Sequence, residues 1–315
     1  MDLVSVRTVR TPSHRDDLAL APGEQPLAGG TWLYSEEQPD TTGLVDLTGL
    51  GWPDAERTPD GLRLGATCTL AALLRLTPEP DWRAWPLVDR CVNALLASFK
   101  VWNAATVGGN VATALPAGAV TALLVTLDAT AVVWTTDGGE RRVPVAELVT
   151  GPRTTTLAPG EVVRAFDVPA AALRQETGFR RVSLSPHGRT GTLVTARWSS
   201  TDRDTDTDTG TGTGTAPGTG TGTAPGTGTG TGTGTDPGFV LVVTGGVPRP
   251  LVLRWDTVPS ADAVDAALAD HDDWYDDPHG SPTWRRGVSR RFAAELVAEA
   301  GATGHSGSRW TGGVR

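Results

Sequence analysis

A chain of 315 residues with 38% hydrophobic and 20% charged side chains has the balance of a globular protein and the length for two or three compact lobes. Its net charge of −9 and pI near 5.0 exclude nucleic acid and anionic membrane as main partners, because the average surface repels both. No apolar run approaches the roughly 18 residues that span a bilayer, and the first residues lack the apolar core of a secretory signal, so the expectation is a cytoplasmic protein with no membrane span.

The first lobe is expected over residues 1–50. It carries the small-residue loop Leu27-Ala-Gly-Gly-Thr-Trp-Leu33 and the strand-like Leu44–Leu47. Leu62–Leu64 reads as a strand, and Thr69 is placed to cap a helix running to Leu76. Val88, Val92, Leu95, Leu96 and Phe99 recur at offsets 0, 4, 7, 8 and 11, which puts them on one core-facing side of a helix. Val132–Trp134 and Glu140–Val145, joined through Asp137-Gly138-Gly139, predict a hairpin, because Asp-Gly readily supplies positive φ. Glu161–Phe166 is a further strand.

Gly191–Trp198 and Phe239–Thr244 are rich in β-branched and aromatic residues and read as paired strands. Between them, Ser199 to Gly238 holds only Ser, Thr, Asp, Arg, Gly, Ala and Pro, much of it repeating Thr-Gly. Such a tract has nothing sizeable to bury and is expected to be a disordered expansion of a hairpin loop. Its five aspartates against Arg203 carry −4 of the total charge, leaving a mildly acidic remainder. Asp202, Asp204, Asp206 and Asp208 are spaced like a calcium loop, but Thr207 stands where the turn needs Gly and no downstream Glu follows. Near the C-terminus Val288, Phe292 and Leu296 repeat at i+4, with Arg285, Arg286, Arg290 and Arg291 on other faces, which predicts an amphipathic helix docked on a sheet. Helices, strands and hairpins in this mixture indicate an α+β fold.

Two loops carry the candidate chemistry: Ala28-Gly29-Gly30-Thr31 and Thr106-Val107-Gly108-Gly109-Asn110. Paired glycines let backbone N–H groups approach a phosphate without Cβ obstruction, so a diphosphate held between two such loops is chemically sensible. Each pair alone is also what an ordinary turn looks like. The histidines His14, His187, His271, His279 and His305 are scattered and form no nucleophilic arrangement. Cys68 and Cys91 are too few for an iron-sulfur cluster or a Cys-based zinc site, so any metal redox centre belongs to another chain. Arg180 and Arg181 read as salt-bridging arginines.

In order and surroundings these motifs resemble the FAD-binding subunits of molybdenum hydroxylases, the xanthine dehydrogenase and carbon monoxide dehydrogenase flavoprotein family. The resemblance runs from Ala28–Leu33 through Leu64–Leu70, Ala105–Gly118, Thr121–Ala129, Gly151–Val163 and Gly178–Val182 to Val243–Val247 and Pro282–Arg286. It implies an α+β protein with a two-lobed PCMH-type FAD-binding domain (1–50 and 51–170). A C-terminal lobe with an antiparallel sheet and helices follows at 171–300, interrupted by the insert 199–238, and 301–315 is a flexible tail. By position it implies that Ala28, Gly29, Gly30, Thr31, Trp32 and Leu33 with Thr106, Val107, Gly108, Gly109 and Asn110 wrap the diphosphate of a non-covalent FAD. Thr31, Thr106 and Asn110 would be the polar side-chain contacts, and Thr113, Pro116 and Gly118 would border the ribose or the flavin. The chain departs from the family pattern at Ala119, where an Asp is common, and at Trp32, where a small or polar residue is usual.

The resemblance further implies an oxidoreductase subunit with no catalytic side chain of its own, since the flavin performs the electron transfer. Electrons would come from an iron-sulfur small subunit, served by a molybdopterin large subunit, and leave to NAD+ or another acceptor. Alternatives are a stand-alone flavin oxidase of the vanillyl-alcohol type, against which no histidine stands in the first loop, and a scaffold subunit that has lost FAD.

Overall fold

The computed structural model describes residues 3–186, 188–199 and 237–303. The expectations for most of the Thr/Gly tract, for the tail past residue 303, and for His187 and His305 lie outside the described residues.

The first sheet orders β1 (Thr8–Arg10), β2 (Glu24–Leu27) and β3 (Gly43–Asp46) as β1-β3-β2, all parallel. Leu18, Val45 and Leu47 pack with Val162 and Trp134, which fastens this sheet to the next. The second sheet begins with β4 (Ala55–Thr58) and β5 (Gly61–Gly65). Five helices follow: α1 (Leu70–Arg75), α2 (Pro86–Ala94), α3 (Phe99–Trp102), α4 (Val107–Thr113) and α5 (Ala119–Thr126). The sheet resumes with β6 (Thr130–Trp134) and β7 (Glu140–Pro144), and after the short α6 (Val145–Leu148) comes a ribbon of β8 (Val149–Gly151) and β9 (Thr154–Thr155). It closes with β10 (Val162–Pro169), giving the antiparallel order β4-β5-β10-β6-β7, before the short α7 (Ala170–Arg174).

Local expectations hold where the signal is local. The Thr69 hydroxyl accepts the Ala72 N–H at 3.1 Å and starts α1. In the β6–β7 hairpin Trp134 faces Glu140, and Gly138 takes φ +83. The predicted single helix through Phe99 does not form: α2 ends at Ala94, Leu96 adopts a left-handed φ of 47, and Leu96 and Phe99 are 44% and 69% exposed. A left-handed residue breaks the 3.6 repeat, so of that stripe Val88 and Val92 are buried in the core, Leu95 packs half-buried against it, and Leu96 and Phe99 are left outside.

The third sheet is an antiparallel meander of β11 (Glu176–Val182), β12 (Thr192–Trp198), β13 (Phe239–Thr244) and β14 (Leu251–Trp255), backed by α8 (Ala261–Ala269) and α9 (Pro282–Thr303). The strands on either side of the Thr/Gly tract pair from Leu193 with Thr244 to Trp198 with Phe239, as hairpin arms should. Every residue of β12 and β13 is buried, because α5 covers one face and α9 packs on the other. α5 accordingly is buried at every position, as a helix between two layers must be.

One arginine departs from expectation, and a second, not singled out in the sequence, is buried as well. Arg285, placed on an outer face of α9 by its charge, is 0% exposed. Its guanidinium donates to the Gly280 carbonyl at 2.8 Å and to the Gly245 carbonyl, pairs with Asp277, and lies 5.5 Å from the Tyr275 ring. The buried stripe of α9 therefore runs through Arg285, Ser289, Ala293 and Leu296; of the expected stripe Leu296 is buried, Phe292 packs half-buried on the same core, and Val288 is half-buried. Arg197, on β12, is also fully buried: it donates to the Thr126 carbonyl at 2.9 Å, to Gln175 and to Asp128, tying the third sheet to the end of α5. Arg180, by contrast, forms the expected ion pairs, with Glu295 and Glu299 on α9.

Candidate cofactor site

A cleft of about 1420 Å³ opens beside the first loop, walled by Ala28–Leu33, by Gly109, Ala112 and Thr113 of α4, and by the β6–β7 turn. A second cleft of about 270 Å³ adjoins it, lined by Leu115, Pro116 and Ala117, by Arg189, and by Tyr275 and His279. Trp32 and Arg153 line both, so they stand at the junction.

The first loop is shaped by its glycines. Gly30 has φ +65, the left-handed region that costs an L side chain, and a Cβ on Gly29 would stand 1.7 Å from the Ala104 carbonyl oxygen. Gly29 thus lets the first loop lie against the chain leading into the second. The carbonyls of Gly30 and Trp32 accept from Tyr34 and Ser35, both at 2.9 Å. The N–H groups of Gly29, Gly30, Thr31, Trp32 and Leu33 donate to no acceptor among the described residues. Five consecutive amides without an acceptor, on residues that line a cleft, are donors available to an anion.

The second loop works differently. It runs beside Ala66–Leu70, and its amides are consumed there and within α4. Val107 donates to the Cys68 carbonyl at 2.9 Å, Gly108 to Ala66 at 2.8 Å, Gly109 to the Thr106 hydroxyl at 3.0 Å and Asn110 to the Thr106 carbonyl at 3.0 Å. A Cβ on Gly108 would meet Ala66 at 2.6 Å, so this glycine serves packing. A Cβ on Gly109 would meet only the Thr106 hydroxyl, at 2.9 Å, and otherwise open space. From Val107 to Asn110 the loop offers the cleft the bare α-carbon of Gly109 and no free N–H.

The structure therefore brings Ala28 to Leu33, Gly109 and Thr113 to the large cleft and Pro116 to the small one. Thr106, Val107, Gly108, Asn110 and Gly118 line neither. The Thr106 hydroxyl caps α4, the Asn110 carboxamide oxygen accepts the Val120 N–H at 3.2 Å at the start of α5, and the Thr113 hydroxyl donates to the Gly109 carbonyl at 2.6 Å. Of the polar side chains singled out, only the Thr31 hydroxyl has no protein partner among the described residues. Ala119 is buried against Ala94, Ala122 and Leu193, and the Trp32 indole N–H is enclosed without an acceptor among the described residues.

The charges around the large cleft are mostly spoken for. Glu24 pairs with Arg10 at 2.8 Å and Glu161 pairs with Arg141 at 2.6 Å, and in each case the hydrogen bond from the arginine lowers the carboxyl from its ordinary value. Arg15 stacks 4.5 Å over Trp134 and donates to the Gly139 carbonyl. Burial pushes the Cys68 thiol up to about 12 and raises Cys91 too, so both stay protonated and unreactive near neutrality. Sequence reasoning missed Arg153, which lies in a segment of general resemblance with no local feature to single it out.

These features fit a dinucleotide with an anionic linker: a donor row, a glycine without a side chain opposite, and room beyond the roughly 300 to 1,000 Å³ of ordinary small-molecule sites. The comparisons agree. A chain of quinoline 2-oxidoreductase from Pseudomonas putida 86 superposes with a TM-score of 0.69 at 18% identity, over 95% of this chain and 98% of that one. A chain of carbon monoxide dehydrogenase from Hydrogenophaga pseudoflava gives 0.69 at 18% over 95% and 98%, and one from the reconstituted Oligotropha carboxidovorans enzyme gives 0.70 at 18% over 94% and 97%. A xanthine dehydrogenase of Blastobotrys adeninivorans is 30% identical over 122 residues, 37% of this chain but only 9% of that protein's length. Residues 14–171 match the model described as the FAD binding domain in molybdopterin dehydrogenase, and with half of its length so matched the chain belongs to that family, whose cofactor is FAD.

Proposed function

We propose that this chain is the electron-transfer subunit of a molybdenum-containing hydroxylase, taking electrons from an iron-sulfur small subunit served by a molybdopterin large subunit and passing them to NAD+ or another acceptor. The observation that carries the reading is the row of five amides, Gly29 to Leu33, that have no acceptor among the described residues and belong to residues lining the same cleft as Gly109. When bound, FAD supplies exchange of electrons singly or in pairs, and the protein supplies orientation and electrostatics. The amides of Gly29 to Leu33 hold negative charge without gaining or losing a proton, and Thr31 adds a hydroxyl donor. Gly109 and Ala112, which line the same cleft, leave space in it, with Thr113 on the same helix. Pro116 borders the small cleft. Thr106, Val107, Gly108, Asn110 and Gly118 act from behind, fixing the shape of the second loop and the start of α5.

Attachment is non-covalent on this reading, because neither glycine loop contains a His or Cys to form a bond. The test is to purify the full chain with the proteins that accompany it, record the visible spectrum, and precipitate with acid. Yellow supernatant and co-purifying iron-sulfur and molybdopterin chains are expected. A colourless protein would point to the scaffold alternative, and colour left in the washed pellet would overturn non-covalent binding.

A further inference from the structure

Arg153 is the cation at the junction of the two clefts. It lines both, its guanidinium stacks 5.4 Å over the Trp32 ring, and it has no ion pair or side-chain hydrogen bond among the described residues. The other arginine of the large cleft, Arg15, is occupied at the β6–β7 turn, and Arg10 and Arg141 are paired with carboxylates. The position is built: Arg153 takes a left-handed φ of 56 after Pro152, and its N–H donates to the Ala114 carbonyl at 2.8 Å, pinning the turn to the end of α4. Trp32 brings to the same junction a backbone N–H of the free row and an indole N–H that also lacks an acceptor.

FAD consists of two ring systems joined by a linker that carries its diphosphate. A molecule of that shape placed across two adjoining clefts passes its linker through their junction. We propose that Arg153, held in place by stacking on Trp32, is the counter-charge to the diphosphate and replaces the donors that the second glycine loop has spent within the protein. The inference rests on the FAD reading above and assigns a binding residue within it. Trp32, the departure from the family pattern, thereby acquires a role as the platform for the cation.

Arg153→Met keeps a stem to lie on Trp32 and removes the charge, while Arg153→Lys keeps a charge. The full-length apoprotein, its fold checked by circular dichroism, is titrated with FAD by flavin fluorescence at several salt concentrations, and ADP and adenosine are measured as competitors. Arg153→Met should weaken FAD and ADP at least tenfold, flatten the salt dependence, and leave adenosine unchanged; Arg153→Lys should recover most of the loss. Unchanged FAD affinity and salt slope in Arg153→Met, or equal loss for ADP and adenosine, overturns the assignment alone. Wild-type protein that takes up neither FAD nor ADP overturns the cofactor reading and this inference with it.

Discussion

Gly109→Asp tests the cofactor site while sparing the fold. A Cβ at this position has open space apart from the Thr106 hydroxyl at 2.9 Å, which can give by a few tenths of an ångström. Replacing a helical glycine is itself slightly favourable, so the change in folding free energy should stay within about 1 kcal/mol. The carboxylate would stand at a lining residue of the large cleft, which Gly29 to Leu33 also line. A charge about 5 Å from a phosphate, at an effective dielectric constant of about 20, costs about 3 kcal/mol. That corresponds to a loss of affinity of about a hundredfold or more. The assay is flavin content and FAD titration, with circular dichroism and thermal melting as controls. Stoichiometric FAD at wild-type affinity would refute the placement of the diphosphate against Gly109 and leave that glycine an ordinary helical residue.

The neighbouring Gly108→Ala should behave oppositely: its Cβ would meet the Ala66 carbonyl oxygen at 2.7 Å, so overpacking of about 1 to 3 kcal/mol should lower the melting temperature by several degrees. An unchanged melt would show that the second loop has slack. Arg197→Met leaves the Thr126 carbonyl and Gln175 without their buried donor and should destabilise by about 3 kcal/mol; urea denaturation giving a loss under about 1 kcal/mol would mean the clamp contributes little. Deleting residues 201–235 should preserve solubility and flavin content, because Trp198 and Phe239 already face each other across the β12–β13 pair and a short turn can join them. Loss of bound flavin on deletion would assign the tract a role in the site.

Much of the architecture was legible because its causes are local. Asp137-Gly138 makes its turn through backbone preference, Thr69 caps α1 through its own hydroxyl, and the β-branched runs on either side of the Thr/Gly tract pair because both faces are apolar. The two glycine loops and their order along the chain were likewise visible without coordinates. Periodicity failed at Leu96, where one left-handed residue between α2 and α3 cancels a pattern that reads as continuous.

What the sequence by itself determined is the set of elements, the two glycine loops and the family they resemble, since each follows from residues close together in the chain. Tertiary structure alone decided how the loops are used. The amides of Val107 and Gly108 are spent on Cys68 and Ala66, some forty residues earlier, while those of Gly29 to Leu33 have no acceptor among the described residues. It also decided the fate of the arginines. A charged side chain reads as surface until partners are known, and Arg197 and Arg285 are buried because carbonyls and carboxylates distant in sequence converge on them. Arg153 stands at the cleft junction, without an ion pair among the described residues, because a turn after Pro152 is tied to the end of α4, about forty residues away. Hydrogen-bond saturation and charge pairing are sums over spatial neighbours, and those neighbours are assigned only when the chain has folded.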